Sequence, residues 1–418
     1  MTVSIPKEEH EENFRFIGNE EKEAVLNVLD HQQLCYYQYD EGLNFVGVGN
    51  YVRKFEEGIA GRIGLERAIA LNSGTSAVEA ALAACGIQPG DEVIVTPKSF
   101  IASCIPVVGF NAVPVFSDID PKTGCLTAKD IEAKITDRTK AILVVHLFGQ
   151  PAEMDPIMEL ARKHHLLVIE DCAEAYDAYY KGRRVGTFGD VALFSLQHSK
   201  HITTGEGGVV LMNSPEMYSK AFGYSNMGSA RGLDAQESGH NFFTFGHNHR
   251  MSELSAAVGF SQLSKIGTFN ERRRVLVRAI EEELKDTPGI ELPYVYPDTI
   301  PNYWLYSIVL DRNLHLGASN IIQTCRDEEN VTLWSENAFW HQVPCYLEPV
   351  FQEMNRTRKT TLGFPLPDYV RYDRGLCPKM EDVAPRSVIF PMHHGVPERV
   401  VRSQAKAVRR MVERRTQR

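Results

Sequence analysis

Short apolar runs alternate with helical segments from about residue 50 to residue 210, and few folds accept such a chain. The runs are "RAIAL", "DEVIV", "VPVF", "AILVV", "HLLVIED", "DVALFSL" and "GGVVLM". Most are apolar throughout instead of alternating with polar residues, the pattern of strands covered on both faces. Between them lie "TSAVEAALAACG", "SFIASCIPVVGF" and "MDPIMELARKHH", each read as a helix, and "NYVRKFEEGIAGRIG" precedes the series as another. The expected fold is α/β, a mainly parallel mixed sheet flanked by helices. Ligands in such sheets bind beyond the strand C-termini, so the residues after each run are the ones to inspect.

From about residue 265 the texture changes. A charged helix, "FNERRRVLVRAIEEEL", leads to strand-like "YWLYSIVL", then to proline-rich irregular sequence and a final helix. The expected division is a large domain over 1–265, including an N-terminal arm, and a small α+β domain over 266–418.

Composition excludes several classes. The chain has 418 residues, 43% of them hydrophobic, enough for a large core. Its formal charge of −9 offers no bulk positive field to nucleic acid or to an anionic membrane. The basic tail "VVRSQAKAVRRMVERRTQR" carries apolar residues at helical spacing and reads as a helix with a charged, solvated face. Eight scattered cysteines without a CxxC pair argue against a disulfide framework or structural zinc. The start, "MTVSIPKEEHEENFRF", lacks an apolar signal-peptide core, and no apolar run reaches ~18 residues. A soluble, cytoplasmic protein is expected.

Four strand ends carry chemistry. "NSGTSA", Asn72 to Ala77, opens a helix; a glycine turn feeding N–H groups into a helix N-terminus binds anions, with Ser73 and Thr75 adding hydroxyls. The same residues also serve as ordinary N-caps. No GxxxxGK[ST] occurs there, and no GxGxxG follows a first strand. "VIEDCAEA" sets Glu170 and Asp171 at the end of a buried strand, where a carboxylate needs a partner. A protonated ring nitrogen, a magnesium ion, an arginine or a loop to cap would each serve. Phe100, in "PKSFIAS", is either core or a face for a planar ligand. In "SLQHSKHITTGEGG", Ser195 ends a strand and Lys200 lies in a glycine-bounded loop. A lysine in a dry pocket or beside another cation has a lowered pKa and a nucleophilic amine. An anion-binding turn, a stacking aromatic, a carboxylate and such a lysine are together what pyridoxal 5′-phosphate requires.

The sequence resembles the DegT/DnrJ/EryC1/StrS aminotransferases, the sugar and cyclitol branch of fold-type-I pyridoxal-phosphate enzymes. The matching motifs are "LNSGTSAVEAALAACGIQPGDEVIVTP", "TKAILVVHLFGQPAEMD", "VIEDCAEAYDA", "VGTFGDVALFSLQHSKHITTGEGGVV" and "FGHNHRMSELSAAVGFSQL". They run from about residue 15 to 270 and continue more loosely in "VPCYLEPVFQ" and "SVIFPMHHGVP".

The resemblance implies roles. Lys200 matches the lysine that forms the Schiff base with the cofactor and shuttles the proton. Asp171 matches the partner of the pyridine nitrogen, which keeps that nitrogen protonated. Gly74, Thr75 and Ser195 match the phosphate cradle, and Phe100 the residue stacked on the ring. Asn248 and Arg250, in "GHNHRMSE", are the candidates by which a neighbouring subunit completes the phosphate site, which implies a homodimer. Glu174 stands where the family usually has glutamine or histidine against the cofactor's phenolic oxygen. A glutamate there has to be protonated, turned away or bridged by water. His198 and His201 flank Lys200 and read as surface-loop histidines. Dehydratases of the family carry histidine in place of the lysine, so Lys200 favours transamination. The expected reaction moves an amine from glutamate or glutamine to a nucleotide-linked keto sugar, with a keto-cyclitol as the alternative acceptor. A non-catalytic cofactor-binding regulator and a lyase or aldolase are the rival readings.

Overall fold

The computed structural model of the protein describes residues 16–35, 37–39, 45–47, 50–229, 244–314, 317–335 and 343–416. The apolar runs become one seven-stranded sheet: β1 (Arg67–Leu71), β2 (Glu92–Val95), β3 (Val113–Phe116), β4 (Thr139–Val145), β5 (Leu167–Asp171), β6 (Val191–Ser195) and β7 (Gly208–Met212). Their order is β1-β7-β6-β5-β4-β2-β3. Six strands point one way, and β7 alone runs antiparallel to its neighbours β1 and β6. The C-terminal ends of β1, β5 and β6 therefore open on one edge.

Helices form where apolar spacing and caps coincide. Helix α1 (Asn19–Asp30) precedes α2 (Tyr51–Ile63), which buries Val52, Phe55, Ile59 and Ile63 at helical intervals. Gly64 ends α2 in the left-handed conformation, φ 95°. Helix α3 (Gly74–Ala84) is capped by Ser73, whose side chain accepts from the Ser76 N–H, and it buries Ala77, Ala80, Ala81 and Ala84. Small residues on that face let α3 lie close to the sheet. "SFIASCIPVVGF" is not one helix. Ile101–Ser103 makes a 3₁₀ turn, and a short helix restarts at Ile105 because Pro106 is tolerated only in a first turn. Helices α4 (Met154–His164) and α5 (Glu253–Gln262) follow.

A second, four-stranded antiparallel sheet has the order β8-β9-β11-β10, from β8 (Ile290–Glu291), β9 (Tyr306–Leu310), β10 (Trp334–Ser335) and β11 (Ser387–Phe390). Its core is shared with α6 (Ile266–Leu284), α7 (Ala318–Glu329) and the final helix. Of "YWLYSIVL", only Tyr306 onward is strand. Tyr303 has φ 52°, and Trp304 packs into the core of the large sheet. The proline-rich stretch also leaves the small sheet. It contains α8 (Pro349–Thr357), and its Tyr346, Phe351 and Tyr372 pack on Phe116 of β3.

The basic tail forms α9 (Glu398–Thr416), with Val401, Ala405, Val408 and Val412 buried. Its arginines meet acidic partners on α6 and α7: Arg402 with Glu282 and Glu283, Arg410 with Glu329, and Arg414 with Glu328. All eight cysteines are free thiols, six of them buried. Among the described residues, no helix is long and apolar enough to cross a membrane.

Candidate active site

Adjacent residues on a strand face opposite ways, and this separates the two acids that end β5. Glu170 accepts the N–H groups of Gly186, Phe188 and Gly189 at 2.6–2.7 Å. It also meets His146 Nε2 at 3.1 Å, while His146 Nδ1 accepts the Ala152 N–H, which assigns the ring proton to Nε2. His146, Glu170 and Cys172 lie close enough to hold a cation. The hydrogen bonds already engage the histidine and the carboxylate, so this knot pins the 186–189 turn. Glu170 is the loop cap among the alternatives read from sequence.

Asp171 faces the other side, toward α3. Buried at 3% exposure, it accepts from the Ser103 hydroxyl at 2.9 Å and from the Ala173 N–H at 3.0 Å. No cation pairs with it at ion-pair distance among the described residues. Burial raises its pKa, and Glu174 adds to the rise against the two hydrogen bonds and the Lys200 charge.

Lys200 sits in the loop after β6, which is stitched shut from several sides. The Lys200 N–H donates to Gln197 O, the Thr204 N–H to Leu196 O, and the Thr203 N–H to Gln262 Oε1. The lysine is buried, and its Nζ lies 3.4 Å from Glu174 Oε1. Burial lowers its pKa, opposed by the charges of Glu174 and Asp171. Glu174 is also buried; its other oxygen accepts the Phe148 N–H at 2.7 Å. Burial raises the Glu174 carboxyl, opposed first by the Lys200 charge. Glu174 thus turns to the lysine, a partner that sequence reasoning did not foresee.

Gly74 and Ser195 meet where α3 begins. A Cβ on Gly74 would stand 2.8 Å from Ser195 Oγ and 2.9 Å from Ser195 Cβ, so only glycine allows this approach. Gly208, paired with Ser195 across β6 and β7, is required likewise, since a Cβ there would meet the Ser73 carbonyl oxygen at 2.2 Å. The N–H groups of Gly74 and Thr75 lie in the first turn, where no intrahelical acceptor exists. Phe100 caps the 3₁₀ turn and is 37% exposed.

Asn248 and Arg250 flank His249, whose carbonyl accepts the Asn72 N–H at 2.8 Å, so their segment runs beside the end of β1. Arg250 bridges to Leu71 at the end of β1, and its Nη1 donates to Asn226 Oδ1 at 2.6 Å. Asn248 is exposed and bridges to Asn226. His198 is exposed, as expected. His201 is not: it is fully buried, and burial together with the Arg273 charge holds its pKa well below the usual range. The reading of His201 as a surface histidine is therefore corrected; the loop is closed over it.

Sequence reasoning missed Trp304. Its ring lies under Lys200, with Nζ 3.6 Å from the ring centroid, and its Nε1–H donates to Ser199 O at 2.7 Å. A tryptophan just before a strand signals nothing by itself; the left-handed turn at Tyr303 aims it here.

A helix N-terminus, a buried carboxylate lacking a cation and a buried amine, gathered at the strand ends, define a pyridoxal-phosphate aminotransferase. Residues 18–364 match the DegT/DnrJ/EryC1/StrS aminotransferase family, and the chain belongs to it. It is 40% identical over 310 residues to a GDP-perosamine synthase of Caulobacter vibrioides, covering 74% of this chain and 79% of the other. It is 38% identical over 280 residues to an L-glutamine:2-deoxy-scyllo-inosose aminotransferase of Streptoalloteichus tenebrarius, covering 65% of each. An aminotransferase structure from Psychrobacter cryohalolentis superposes with a TM-score of 0.82 at 31% identity, over 96% of this chain and 98% of that one. The protein is a sugar aminotransferase dependent on pyridoxal 5′-phosphate.

The residues present fit that group. Asp171 needs a buried cationic donor, which a protonated pyridine nitrogen provides. The first turn of α3 offers N–H donors and a positive dipole end to a phosphate.

Proposed function

We propose that the protein moves an amino group from glutamate or glutamine to the keto carbon of a nucleotide-linked keto sugar, in two half-reactions with ping-pong kinetics. The observation that carries this reading is the buried Lys200 amine, held beside Glu174 and within electrostatic reach of Asp171. Pyridoxal 5′-phosphate, when bound, supplies a carbonyl carbon that takes up the amine and a ring that withdraws electrons.

The chain supplies the rest. Lys200 Nζ anchors the cofactor covalently and, when free, holds and moves the proton between reacting carbons. Burial favours the neutral, nucleophilic amine, while Glu174 limits how far that goes. Asp171 keeps a proton on the ring nitrogen, and Ser103 with the Ala173 N–H keeps Asp171 ionised for that task. Gly74, Thr75 and Ser195 bind the phosphate at the α3 N-terminus, and Phe100 covers the ring. Asn248 and Arg250 act across a homodimer interface, completing the phosphate site of the partner subunit. The exposure of Asn248 is compatible with that role.

For the acceptor, the 40% identity to a GDP-perosamine synthase favours a nucleotide-linked sugar. The 38% identity to a cyclitol aminotransferase supports a keto-cyclitol as the second reading. The test starts from the purified protein with added cofactor, which is expected to show a visible absorption band. Glutamate and glutamine are then titrated separately, and the donor is the one that bleaches the band. The bleached enzyme is next offered nucleotide-linked keto sugars and keto-cyclitols, and return of the band with an aminated product identifies the acceptor. Bleaching with neither donor rejects the donor assignment, and return of the band with cyclitols alone rejects the nucleotide sugar.

A further inference from the structure

Trp304 reaches the site from outside the large sheet's own strand ends, and three contacts hold it there. Its backbone N–H donates to Phe148 O at 2.8 Å. Its Nε1–H donates to Ser199 O, in the residue before Lys200, at 2.7 Å. Its ring face lies 3.6 Å from Lys200 Nζ. Phe148 links this arm to the other side of the amine. It sits in the left-handed conformation, φ 55° and ψ 16°, uncommon for a residue with a side chain. It gives its carbonyl to Trp304 and its N–H to Glu174 Oε2. Glu174 in turn presents Oε1 to the lysine. The amine thus lies between a carboxylate and an aromatic face, and one backbone residue joins the two.

The segment carrying Trp304 is itself fixed. Asn302 donates its backbone N–H to Gly149 O and its side-chain amide to Tyr176 O. Behind it, the fully buried Arg273 of α6 gives Nη1 to the carbonyls of Tyr303, Trp304 and Met392. That is a costly charge to bury, and it is held by the backbone that aims the tryptophan.

We propose that Trp304 is a positioning residue for Lys200: its ring face holds the free ammonium against Glu174, and its Nε1–H pins the loop that carries the amine. A cation over an indole face is attracted by the ring quadrupole, more strongly in a dry site. The contact favours the charged amine and so opposes the burial that disfavours it. The other ionisable groups around the amine are Asp171 at the end of β5, Glu174 just beyond it, His201 beside the amine in the chain, and Arg273 behind His201. This inference rests on Lys200 being the residue that takes the cofactor.

The test uses enzyme loaded with pyridoxamine 5′-phosphate, in which Lys200 is free. Trace labelling with acetic anhydride across a pH series, read by peptide mass spectrometry, follows the deprotonation of Lys200. In Trp304→Leu the midpoint is expected to move to lower pH. Labelling below the midpoint, normalised to its high-pH plateau, should rise about two- to thirtyfold, the span from an exposed to a desolvated cation–π contact expressed as an equilibrium constant. Trp304→Phe keeps a ring face and is expected to stay within about twofold of the parent enzyme. If Trp304→Leu does not fold, Trp304→Met asks the same question. An unchanged or raised midpoint in the aliphatic variants overturns the proposal, since the ring would then only exclude water. A fall in Trp304→Phe as large as in Trp304→Leu overturns the role of the ring face and leaves only the hydrogen bond to Ser199. Absence of a cofactor band in the parent enzyme, or its persistence in Lys200→Ala, would instead reject the role of Lys200.

Discussion

Replacing Gly74 by alanine tests whether the join between α3 and β6 is as tight as its geometry requires. The new Cβ would stand 2.9 Å from Ser195 Cβ, 2.8 Å from Ser195 Oγ and 3.5 Å from Ser195 Cα. Carbon atoms pack best at about 3.5–4.0 Å, so helix and strand must part by roughly 0.6–1 Å. Rotating the Ser195 hydroxyl relieves the oxygen contact but not the one to its Cβ. Overpacking of this kind costs about 1–3 kcal/mol, offset by up to about 1 kcal/mol from the lower unfolded-state entropy of alanine. Urea denaturation of the apoprotein should show a net loss of about 1–2 kcal/mol. On the proposed role of this turn in binding the phosphate, cofactor affinity should fall as well. The double-mutant cycle with Ser195→Gly isolates the contact. Ser195→Gly alone should cost about 1 kcal/mol, and the double variant should cost less than the sum of the singles by about 1–2 kcal/mol, because the colliding Cβ is gone. Strict additivity in that cycle would refute the steric argument, whatever the single variants do.

Three further outcomes follow from the same site. Lys200→Ala should lose both the visible band of the bound cofactor and turnover, checked by absorption spectroscopy and an amine-transfer assay. Asp171→Asn should lower transamination by orders of magnitude while its circular dichroism matches the parent, since it removes the charge proposed to keep the ring nitrogen protonated. Glu174→Gln removes the carboxylate 3.4 Å from Lys200 Nζ and keeps an acceptor for the Phe148 N–H. Glu174 raises the pKa of Lys200 against burial, so its loss should shift deprotonation of the free amine to lower pH. Labelling of Lys200 across pH reads that shift, and an upward shift would contradict the assigned sign.

Much of this was legible in the sequence because local rules govern it. The apolar runs became strands of the main sheet, Ser73 capped α3, and Lys200 and Asp171 came to the same sheet edge. What stayed hidden depends on contacts distant in the chain. "YWLYSIVL" has a strand's composition, yet Trp304 leaves the strand because Tyr303 turns and Arg273 takes up the freed carbonyls. The loop around His201 looked solvent-exposed from its polar residues, but Gln262 and the 302–304 segment close it. Glu170 and Asp171 are chemically alike in sequence, and the two-residue period of a strand was the signal that could have told them apart.

The charge balance of the site explains why these residues occur together. Two carboxylates and one amine are buried in one cluster, and an isolated charge there would be costly. Lys200 can offset only one acid, and it lies against Glu174. Asp171 is left with two neutral donors and a like charge nearby, so burial raises its pKa. A cationic N–H donor facing Asp171 reverses that penalty, and the aspartate then favours protonation of the donor by the same free energy. The imbalance is therefore selective. It favours a ligand that carries a protonatable nitrogen on the Asp171 side and a group able to react with the Lys200 amine. A neutral isostere at residue 171 removes the imbalance and, with it, the reason for the ring nitrogen to keep its proton. If Asp171→Asn binds pyridoxal 5′-phosphate as tightly as the parent at neutral pH, and in the same protonation state by its spectrum, this account of the site's electrostatics is wrong.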